Sequence, residues 1–472
     1  MQKYNKVTPD IINQLVNILG KNKVITDKEK IDTYSHDETP VDQYGHLPEV
    51  VITPETAEEI AEIMKLANRE LIPVTPRGAG SGLSGGAIPC CGGIVLSLEK
   101  MNKIIEIDLD NMMMVLEPGV VTNTINEKIA DKGLFFAGYP MSVETCYLGG
   151  NIAENAGGGK AVKYGVTGDY IMGLEIVTPE GEIVELGGKR VKDVSGYDLK
   201  KLIVGSEGTL GIVTKAIIKL LPQPELRVDL LVLFDDVRSA IEVVPQIMTE
   251  GKIIPTGIEF MDKLSVKTSC EYLNEHLPYQ QAGAMLLIEI DGNKEEEVIQ
   301  DYETIGDLCL EQGAQEVYVA DNHTTRERVW SVRRNIAEAF KVISPHQSLE
   351  DIVVPISSIP ELMPELEKIS EKYDIQIPCY GHAGDGNLHA TLVKNPEHSL
   401  NRWYQIEEQA LNELYQITKN LGGTISGEHG IGLKRRNFFQ KFSDPVELKL
   451  MKDIKKAFDP NLILNPGKIF DI

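Results

Sequence analysis

Cysteine is scarce in this chain, and the cysteines present lack the spacing of a bound metal cluster. The sequence contains 6 cysteines, two of them adjacent at Cys90 and Cys91, and no CxxC pair. Iron–sulfur clusters and zinc ribbons of the usual spacing are therefore excluded. We expect mostly buried, reduced thiols, as is typical of a reducing compartment.

Long hydrophobic runs and excess positive charge are also missing. No apolar stretch reaches the roughly 18 residues that predict a membrane span, and the start, MQKYNKVTPDIINQL, contains no signal-peptide core. The 47 Lys and Arg against 71 Asp and Glu give a net charge of −24. Such an acidic surface repels phosphates, which excludes nucleic acid and anionic membrane as main partners. We expect a cytoplasmic protein with no membrane insertion.

Glycine and proline mark the organisation of the 472 residues. A β-α-β pattern over residues 48–75 leads into a glycine-rich loop at Pro76–Ala87, and Pro222–Pro224 interrupts a strand pattern. Beyond this boundary strands alternate with longer amphipathic helices, which is typical of an α+β domain. Such helices are predicted at 236–250, 294–312, 324–341 and 358–372.

The glycine cluster PRGAGSGLSGGA predicts an anion-binding loop. Each glycine inside a helix costs about 1 kcal/mol relative to alanine, so a loop is favoured. A loop of this kind presents successive backbone N–H groups to an anion such as phosphate. The segment has neither the helix-opening G-x-G-x-x-G motif nor a Gly-Lys-Ser/Thr motif. Pyrophosphate binding outside these two common schemes is therefore plausible, with a tight surface turn as the alternative.

Four ordered segments carry a family resemblance: Pro76–Ala87, Pro140–Ser142, Gly149–Gly158 and Gly205–Ile212. They resemble the FAD-binding domain of the vanillyl-alcohol-oxidase/PCMH flavoproteins. The second half resembles the FAD-linked oxidase C-terminal domain of glycolate oxidase D subunits and of D-lactate and D-2-hydroxyglutarate dehydrogenases. The resemblance implies an α+β chain in three parts. These are a PCMH-type FAD-binding domain of two α/β subdomains (1–222), a cap domain with an antiparallel sheet flanked by helices (223–420), and a segment packing back on the FAD domain (421–472).

The resemblance also implies a set of FAD contacts. Residues at the pyrophosphate would be Pro76, Arg77, Gly78, Ala79, Gly80, Ser81, Gly82 and Ser84. The flavin ring and ribityl chain would be lined by Pro140, Ser142, Gly149, Gly150, Asn155, Ala156 and Gly157. The adenine end would meet Glu207, Gly211 and Ile212, and Asn465 would return to the flavin site. Covalent members of the superfamily carry a histidine where this chain has Ser81, so we expect non-covalent FAD, with a buried thiol rather than a flavin link at Cys146.

Two histidines, His382 and His389, lie in the segment GHAGDGNLH. Gly384 and Gly386 disfavour a helix, and on a straight strand an odd separation would place the two rings on opposite faces. A turn at these glycines would bring both imidazoles together. Neutral imidazole is the commonest metal ligand in proteins, so the pair predicts a metal site.

The segment SGEHGIG adds Glu428 and His429. A carboxylate completes a His₂Glu set that leaves room for substrate and water, and the adjacent histidine is offset and able to take a proton. In the 2-hydroxy-acid dehydrogenases that this chain resembles, His382, His389 and Glu428 correspond to the ligands of a divalent metal, and His429 to the catalytic base. The ligand set accepts Zn²⁺, Fe²⁺ and Mn²⁺ alike. Histidines outside these motifs are expected to be structural: His36, His46, His276, His323, His346 and His398.

A carboxylate substrate favours recognition by a guanidinium, which binds it bidentately. Arg333 matches the substrate arginine of the family, and Arg334 is expected at the surface. The positions that carry extra polar residues in 2-hydroxyglutarate enzymes correspond here to Ala337 and Leu349, which favours a short substrate such as D-lactate or glycolate.

The chain has no motif for a second redox group, so electrons are expected to leave to a partner protein. The resemblance implies subunits of an electron-transferring flavoprotein, including bifurcating complexes, or iron–sulfur partner subunits as in a glycolate oxidase complex. Two alternatives from other classes remain open. One is a non-redox FAD enzyme similar to alkyl-dihydroxyacetone-phosphate synthases, and the other is a non-catalytic flavin subunit.

Overall fold

The computed structural model describes residues 4–472, which form two compact units. The first unit comprises the residues up to Gly158, Gly165–Gln223 and Glu428–Ile472. The second comprises Gly159–Tyr164 and Pro224–Gly427. The first unit is therefore discontinuous in sequence. No sequence pattern indicated that the short segment Gly159–Tyr164 belongs to the second unit.

Strands occur in both units. In chain order they are β1 (Val24–Ile25), β2 (Val50–Ile52), β3 (Val74–Arg77), β4 (Ile94–Ser97), β5 (Ile104–Asp108), β6 (Met113–Leu116), β7 (Leu134–Phe135), β8 (Ile171–Val177), β9 (Ile183–Gly187), β10 (Ile212–Lys219), β11 (Leu221–Pro222), β12 (Leu226–Phe234), β13 (Gly257–Asp262), β14 (Ala284–Gly292), β15 (Ala314–Ala320), β16 (Gln347–Val353), β17 (Cys379–His382) and β18 (Asn387–Val393).

Helices cover the sheets. In chain order they are α1 (Pro9–Leu19), α2 (Lys28–Asp32), α3 (Val41–Tyr44), α4 (Ala57–Glu70), α5 (Thr122–Ile129), α6 (Leu148–Glu154), α7 (Ala161–Tyr164), α8 (Leu199–Ile203), α9 (Val237–Thr249), α10 (Lys263–Leu273), α11 (Glu295–Glu311), α12 (His323–Arg334), α13 (Ile336–Ile343), α14 (Ile359–Tyr373), α15 (Leu400–Asn420), α16 (Arg436–Phe442) and α17 (Pro445–Phe458).

The described residues of the first unit form two larger sheets and the two-stranded antiparallel sheet β11-β7. One has the strand order β1-β2-β4-β3, in which β2, β4 and β3 run parallel and β1 antiparallel. The other is antiparallel with the order β5-β6-β10-β8-β9. Helices α1 and α4 bury their apolar faces in one core with the first sheet, because their hydrophobic residues recur with the helical period.

The last segment of the chain completes the first unit. Leu464 forms a parallel bridge with Val74 of β3, and Ile463 and Leu464 belong to the same core as α1 and α4. The buried ammonium of Lys455 in α17 donates to the carbonyl oxygens of Thr209 and Leu464 and to the Asp459 carboxylate. The carboxyl-terminal residues thus pack on elements from the start of the chain.

The second unit is an antiparallel sheet flanked by helices. Its strand order is β15-β12-β14-β13-β17-β18-β16. Helices α10, α12 and α13 pack on one hydrophobic cluster with β12, β13 and β14. The α+β class expected from the sequence is confirmed.

One predicted helix is wrong. The periodicity over 324–341 predicts a single helix, whereas the structure has α12 and α13 separated at Asn335. The side-chain amide of Asn335 donates to the Ser331 carbonyl oxygen at 2.9 Å, and its backbone leaves the helical conformation with ψ of 7°. Asparagine competes with the helix in this way because its side chain bonds to nearby backbone groups.

All six cysteines are free thiols. Four are buried as expected, whereas Cys90 is half-buried and Cys91 is exposed. The Cys90 Sγ atom accepts a hydrogen bond from the Lys468 ammonium at 3.5 Å.

A buried carboxyl in β12 predicts a pH-dependent stability. Asp229 is fully buried and accepts a hydrogen bond from the indole of Trp330 at 2.8 Å. Burial and the neighbouring charge of Glu289 raise the pKa of Asp229 to about 6. A raised carboxyl pKa stabilises the fold below the ordinary pKa near 4, and that contribution is lost as the pH rises through 6.

We therefore expect Asp229→Asn to stabilise the protein at pH 8, on the order of 3 kcal/mol for a shift of about two pKa units. The gain should shrink as the pH is lowered through 6. Thermal midpoints of the wild type and the variant at pH 8 and pH 5 measure this. Asp307→Asn, on the exposed face of α11, is the control. An equal or larger gain at pH 5 would contradict the assignment.

Candidate active site

The glycine loop after β3 offers an unsatisfied row of backbone donors. Within residues 4–472, the N–H groups of residues 79–83 donate no hydrogen bond. Gly80 has a φ of 75°, and a Cβ atom there would lie 2.0 Å from the Arg77 guanidinium, so only glycine fits. Five successive free N–H groups suit the oxygens of a pyrophosphate. The loop therefore fits the phosphates of FAD.

Arg77 has an internal role in the structure. Its guanidinium is buried, donates to the carbonyl oxygens of His36 and Thr33, and lies 5.7 Å from the centre of the Tyr34 ring. The side chain thus supports the glycine loop from beneath. Its contact with a pyrophosphate stays a prediction.

The remaining predicted FAD residues lie in loops and helix ends of the first unit. Gly78 and Gly150 approach each other, since a Cβ atom on Gly78 would lie 3.5 Å from the Gly150 nitrogen. Asn155 ends α6 in the left-handed conformation and accepts from the Gly168 N–H at 2.8 Å. The other predicted residues divide into the half-buried or exposed Pro140, Ser142 and Gly149, and the buried Ala156, Gly157, Gly211 and Ile212.

Asn465 joins two of the predicted FAD segments. Its side-chain amide donates to the carbonyl oxygens of Gly86 at 3.0 Å and of Glu207 at 2.8 Å. Its backbone N–H donates to Val74 at 2.7 Å. The amide therefore fastens the glycine loop to the Gly205–Ile212 segment, and any contact with the flavin stays a prediction.

The loop that carries Glu428 and His429 is fixed by a carboxylate that the sequence assigned to the adenine end. Glu207 accepts from the N–H groups of Ile431 and Gly432, both at 2.7 Å. The N–H groups of Leu433 and Lys434 donate to the Ser84 carbonyl oxygen, both at 2.9 Å. The loop thus lies on the glycine loop within the first unit.

Glu154, which the sequence analysis missed, lies beneath the same loop. A Cβ atom on Gly430 would come 2.0 Å from its Oε2 atom, so glycine is required there. Burial and the charges of Glu207 and Asp37 raise the pKa of Glu154 well above its ordinary value. Burial and the nearby Glu207 carboxyl therefore both disfavour the charged form of Glu154 beneath this loop.

Glu428 and His429 lie side by side in a bend of the loop, and their side chains do not diverge as they would in extended backbone. The His429 Nε2 and Glu428 Oε1 atoms are 3.5 Å apart, and each side chain is 14% exposed. A Cβ atom on Gly157 would lie 4.0 Å from Glu428 Oε2. His429 is therefore partly accessible and sits on a rigidly anchored loop, as a proton-transfer group requires.

His382 and His389 converge in the second unit, as predicted. They lie on β17 and β18, which a turn joins through Gly384 and Gly386, and Tyr380 is opposite His389 in the register. The two imidazole centres are 5.6 Å apart with the rings nearly perpendicular. Both side chains are almost fully buried. The pair therefore meets the first geometric requirement for sharing a metal ion.

Glu259 of β13 contacts both a predicted metal ligand and the predicted substrate arginine. Its Oε1 atom lies 2.5 Å from His382 Nδ1, and its Oε2 atom lies 2.7 Å from Arg333 Nε and 2.6 Å from Arg333 Nη2. Burial alone would raise the pKa of Glu259, but Arg333 and His382 outweigh it and lower that pKa. The sequence analysis did not predict this ionised carboxylate between His382 and Arg333.

Asp351 of β16 lies behind the second histidine. Its carboxylate accepts from the Asn387 amide at 2.8 Å, from the Ser426 hydroxyl at 2.7 Å and from the Gly427 N–H at 2.9 Å. Its Oδ1 atom is 3.9 Å from His389 Nδ1. Of the two imidazoles, His382 therefore has a carboxylate within hydrogen-bond distance of its Nδ1 atom, the arrangement that orients a metal-binding histidine, whereas Asp351 lies beyond that distance from His389 Nδ1.

The donor chemistry of the second unit fits a divalent transition metal. Two buried imidazoles, of which His382 contacts a buried carboxylate through its Nδ1 atom, suit Zn²⁺, Fe²⁺ and Mn²⁺. Glu428 belongs to the first unit and the two histidines to the second. The complete His₂Glu set therefore stays a prediction.

Two family models match this chain. "FAD linked oxidases, C-terminal domain" matches residues 223–469, and "FAD binding domain" matches residues 48–187. The chain belongs to the FAD-linked oxidases. It is an FAD-linked oxidoreductase with a PCMH-type FAD-binding fold.

Relatives and a solved structure extend the comparison. Glycolate oxidase subunit GlcD of Bacillus subtilis is 40% identical over 467 residues, covering 98% of this chain and 97% of the relative. D-lactate dehydrogenase of Anaerostipes hadrus is 37% identical over 473 residues, covering 99% and 98%. A p-cresol methylhydroxylase structure with substrate bound matches with a TM-score of 0.80 at 20% identity, covering 98% of this chain and 96% of that one, and shows the fold alone.

No helix among the described residues of this FAD-linked oxidase has the length and hydropathy to span a membrane.

Proposed function

We propose that this FAD-linked oxidase is a metal-dependent D-2-hydroxy-acid dehydrogenase that converts D-lactate to the 2-oxo acid. The observation that carries the proposal is the buried pair of imidazoles, 5.6 Å apart between ring centres, beside the Glu259–Arg333 ion pair. A ligand pair of this kind next to a guanidinium suits a substrate with adjacent hydroxyl and carboxylate groups. The relatives named glycolate oxidase subunit and D-lactate dehydrogenase support the same substrate class.

The chain's own residues divide the work. When bound, FAD supplies the hydride acceptor and the divalent cation lowers the pKa of the substrate hydroxyl. His382, His389 and Glu428 would hold the cation. His429 would take the hydroxyl proton at a ring nitrogen. Arg333 would hold the substrate carboxylate by its guanidinium hydrogens.

The side chain of the substrate is expected to be short. Ala337 lies on α13, and Leu349 lies on β16 against the hydrophobic cluster of the second unit. Neither offers a charge to a second carboxylate, so D-2-hydroxyglutarate should be a poor substrate. Glycolate, which lacks the methyl group of lactate, remains the second candidate because of the 40% identical glycolate oxidase subunit.

Anaerobic flavin reduction tests the proposal. The purified FAD-bound protein is mixed with D-lactate, L-lactate, glycolate or D-2-hydroxyglutarate, and bleaching of the flavin absorbance is followed while the metal content of the sample is measured. We expect rapid bleaching by D-lactate and about one divalent ion per chain. Absence of bleaching by every 2-hydroxy acid would leave the non-redox FAD enzyme or the non-catalytic subunit as the better account.

The electron acceptor is proposed to be a partner protein. The chain has no CxxC motif for an iron–sulfur cluster, and an electron-transferring flavoprotein, including its bifurcating form, is our first candidate over iron–sulfur subunits. The lactate-reduced protein should stay reduced when NAD⁺ alone is added. Full-rate lactate oxidation by the single chain with NAD⁺ would contradict the need for a partner.

A further inference from the structure

Glu259 divides its two carboxylate oxygens between two functional side chains. Oε1 faces the Nδ1 atom of His382, and Oε2 faces the Nε and Nη2 atoms of Arg333. All three side chains are buried, with exposures of 4% or less. Neither His382 nor Arg333 can change its orientation without breaking a contact with the same carboxylate.

The contact with His382 fixes which ring nitrogen binds a metal. A carboxylate only accepts hydrogen bonds, so the Nδ1 atom facing it carries the hydrogen. The lone pair then resides on Nε2, and a hydrogen bond to Nδ1–H also makes the ring a stronger ligand. Loss of the carboxylate frees the ring to rotate and to move its hydrogen to the other nitrogen.

The contact with Arg333 fixes the free end of the guanidinium. The Oε2 atom of Glu259 contacts the Nε and Nη2 atoms of Arg333. Among residues 4–472, no group accepts a hydrogen bond from the Nη1 atom. The face of the guanidinium lies 5.0 Å from the centre of the Tyr380 ring, and Tyr380 is the cross-strand neighbour of His389. The arginine is therefore held in one orientation, with Nη1 as the end that remains for a substrate carboxylate.

The backbone at Gly159 packs closely against the Glu259 carboxylate. A Cβ atom on Gly159 would lie 2.5 Å from Glu259 Oε1 and 3.6 Å from His382 Nδ1. Gly159 is the first residue of the short segment Gly159–Tyr164, which belongs to the second unit. A methyl group at this position would displace the carboxylate without changing any charge.

We propose that Glu259 is a positioning residue that sets the ring nitrogen His382 offers to a cation and the orientation in which Arg333 meets the substrate. This inference rests on the proposed 2-hydroxy-acid dehydrogenase function. Its distinctive consequence is that metal affinity and substrate KM depend on one side chain that touches neither ligand. A carboxylate that merely stabilised the fold would change the thermal midpoint and leave both quantities unaltered.

The test uses Glu259→Gln and Gly159→Ala in the FAD-bound protein, with Glu289→Gln as the matched control. Glu289 is an equally buried carboxylate on the neighbouring strand β14, where it pairs with Arg227 and Lys160. Binding of Mn²⁺ to chelator-treated protein is measured by the paramagnetic resonance signal of free Mn²⁺. KM and kcat for D-lactate and the thermal midpoint are measured on the same samples.

We expect Glu259→Gln to weaken Mn²⁺ binding by about 10–100-fold, the usual effect of losing such a partner. KM should rise at least tenfold, because the amide no longer holds Arg333 in the orientation that meets the substrate carboxylate. Gly159→Ala should shift both quantities in the same direction, and Glu289→Gln should leave both within about twofold.

Wild-type Mn²⁺ affinity and KM in folded Glu259→Gln or Gly159→Ala would overturn the positioning role and leave the proposed function standing. A wild type that neither binds Mn²⁺ nor oxidises a 2-hydroxy acid would overturn both.

Discussion

His429→Asn is expected to slow flavin reduction by D-lactate by about 10²–10⁴-fold, the usual contribution of a general base. The variant should fold and keep FAD, because Glu207 and Ser84 hold the backbone of its loop. Asparagine keeps a polar side chain of similar size but takes no proton at neutral pH. Stopped-flow measurement of anaerobic flavin bleaching gives the rate directly.

His398→Asn is the control for this experiment. Its side chain is 16% exposed, close to the 14% of His429, and it pairs with Asp374 in the second unit. We expect a wild-type bleaching rate for that variant. A wild-type rate in His429→Asn as well would assign the proton to another group.

Removal of either buried imidazole is expected to have the largest effect on metal content. If the proposed metal site exists, His382→Asn and His389→Asn should each lose the divalent ion during dialysis against a chelator, because each substitution deletes a proposed ligand. Turnover of D-lactate should fall by more than about 10³-fold, since the cation supplies several kcal/mol of charge stabilisation. Elemental analysis and turnover, before and after addition of excess Mn²⁺, provide the measurements.

FAD content separates this prediction from general unfolding. The glycine loops lie in the first unit and the histidine pair in the second, so the flavin absorbance should be unchanged. His346→Asn, a half-buried histidine at the start of β16, should retain wild-type metal and turnover. If His382→Asn or His389→Asn lost the divalent ion and kept full turnover, the reaction would need no cation.

Local patterns predicted the parts of the site that neighbouring residues determine. The turn at Gly384 and Gly386 brings His382 and His389 together within one hairpin. The eight residues from His382 to His389 were therefore enough to predict that the two imidazoles lie close together. The glycine loop is likewise recognisable because its composition disfavours helix and strand. The α4 and β3 elements follow from periodicity in the same way.

Glu259 could not be found by such reasoning. It lies 123 residues before its partner His382, and the contact depends on β13 pairing with β17. Strand pairing of this kind is decided by the whole sheet. The available signal was a charged residue inside the apolar strand GIEFMD, since a buried carboxylate requires partners. Glu154 and Asp351 were missed because they too contact residues far away in sequence, at Gly430 and at Ser426 and Gly427 respectively.

The discontinuous first unit has a consequence for biosynthesis. Val74 and the core around α4 are made early, yet Leu464 and Lys455, which complete them, leave the ribosome last. The nascent chain must therefore carry an open first unit throughout translation of Pro224–Gly427, the main part of the second unit, whose other segment, Gly159–Tyr164, has already been made. Premature termination near residue 440 would leave a complete second unit attached to an incomplete first unit. Such a product would expose apolar surface to chaperones and proteases.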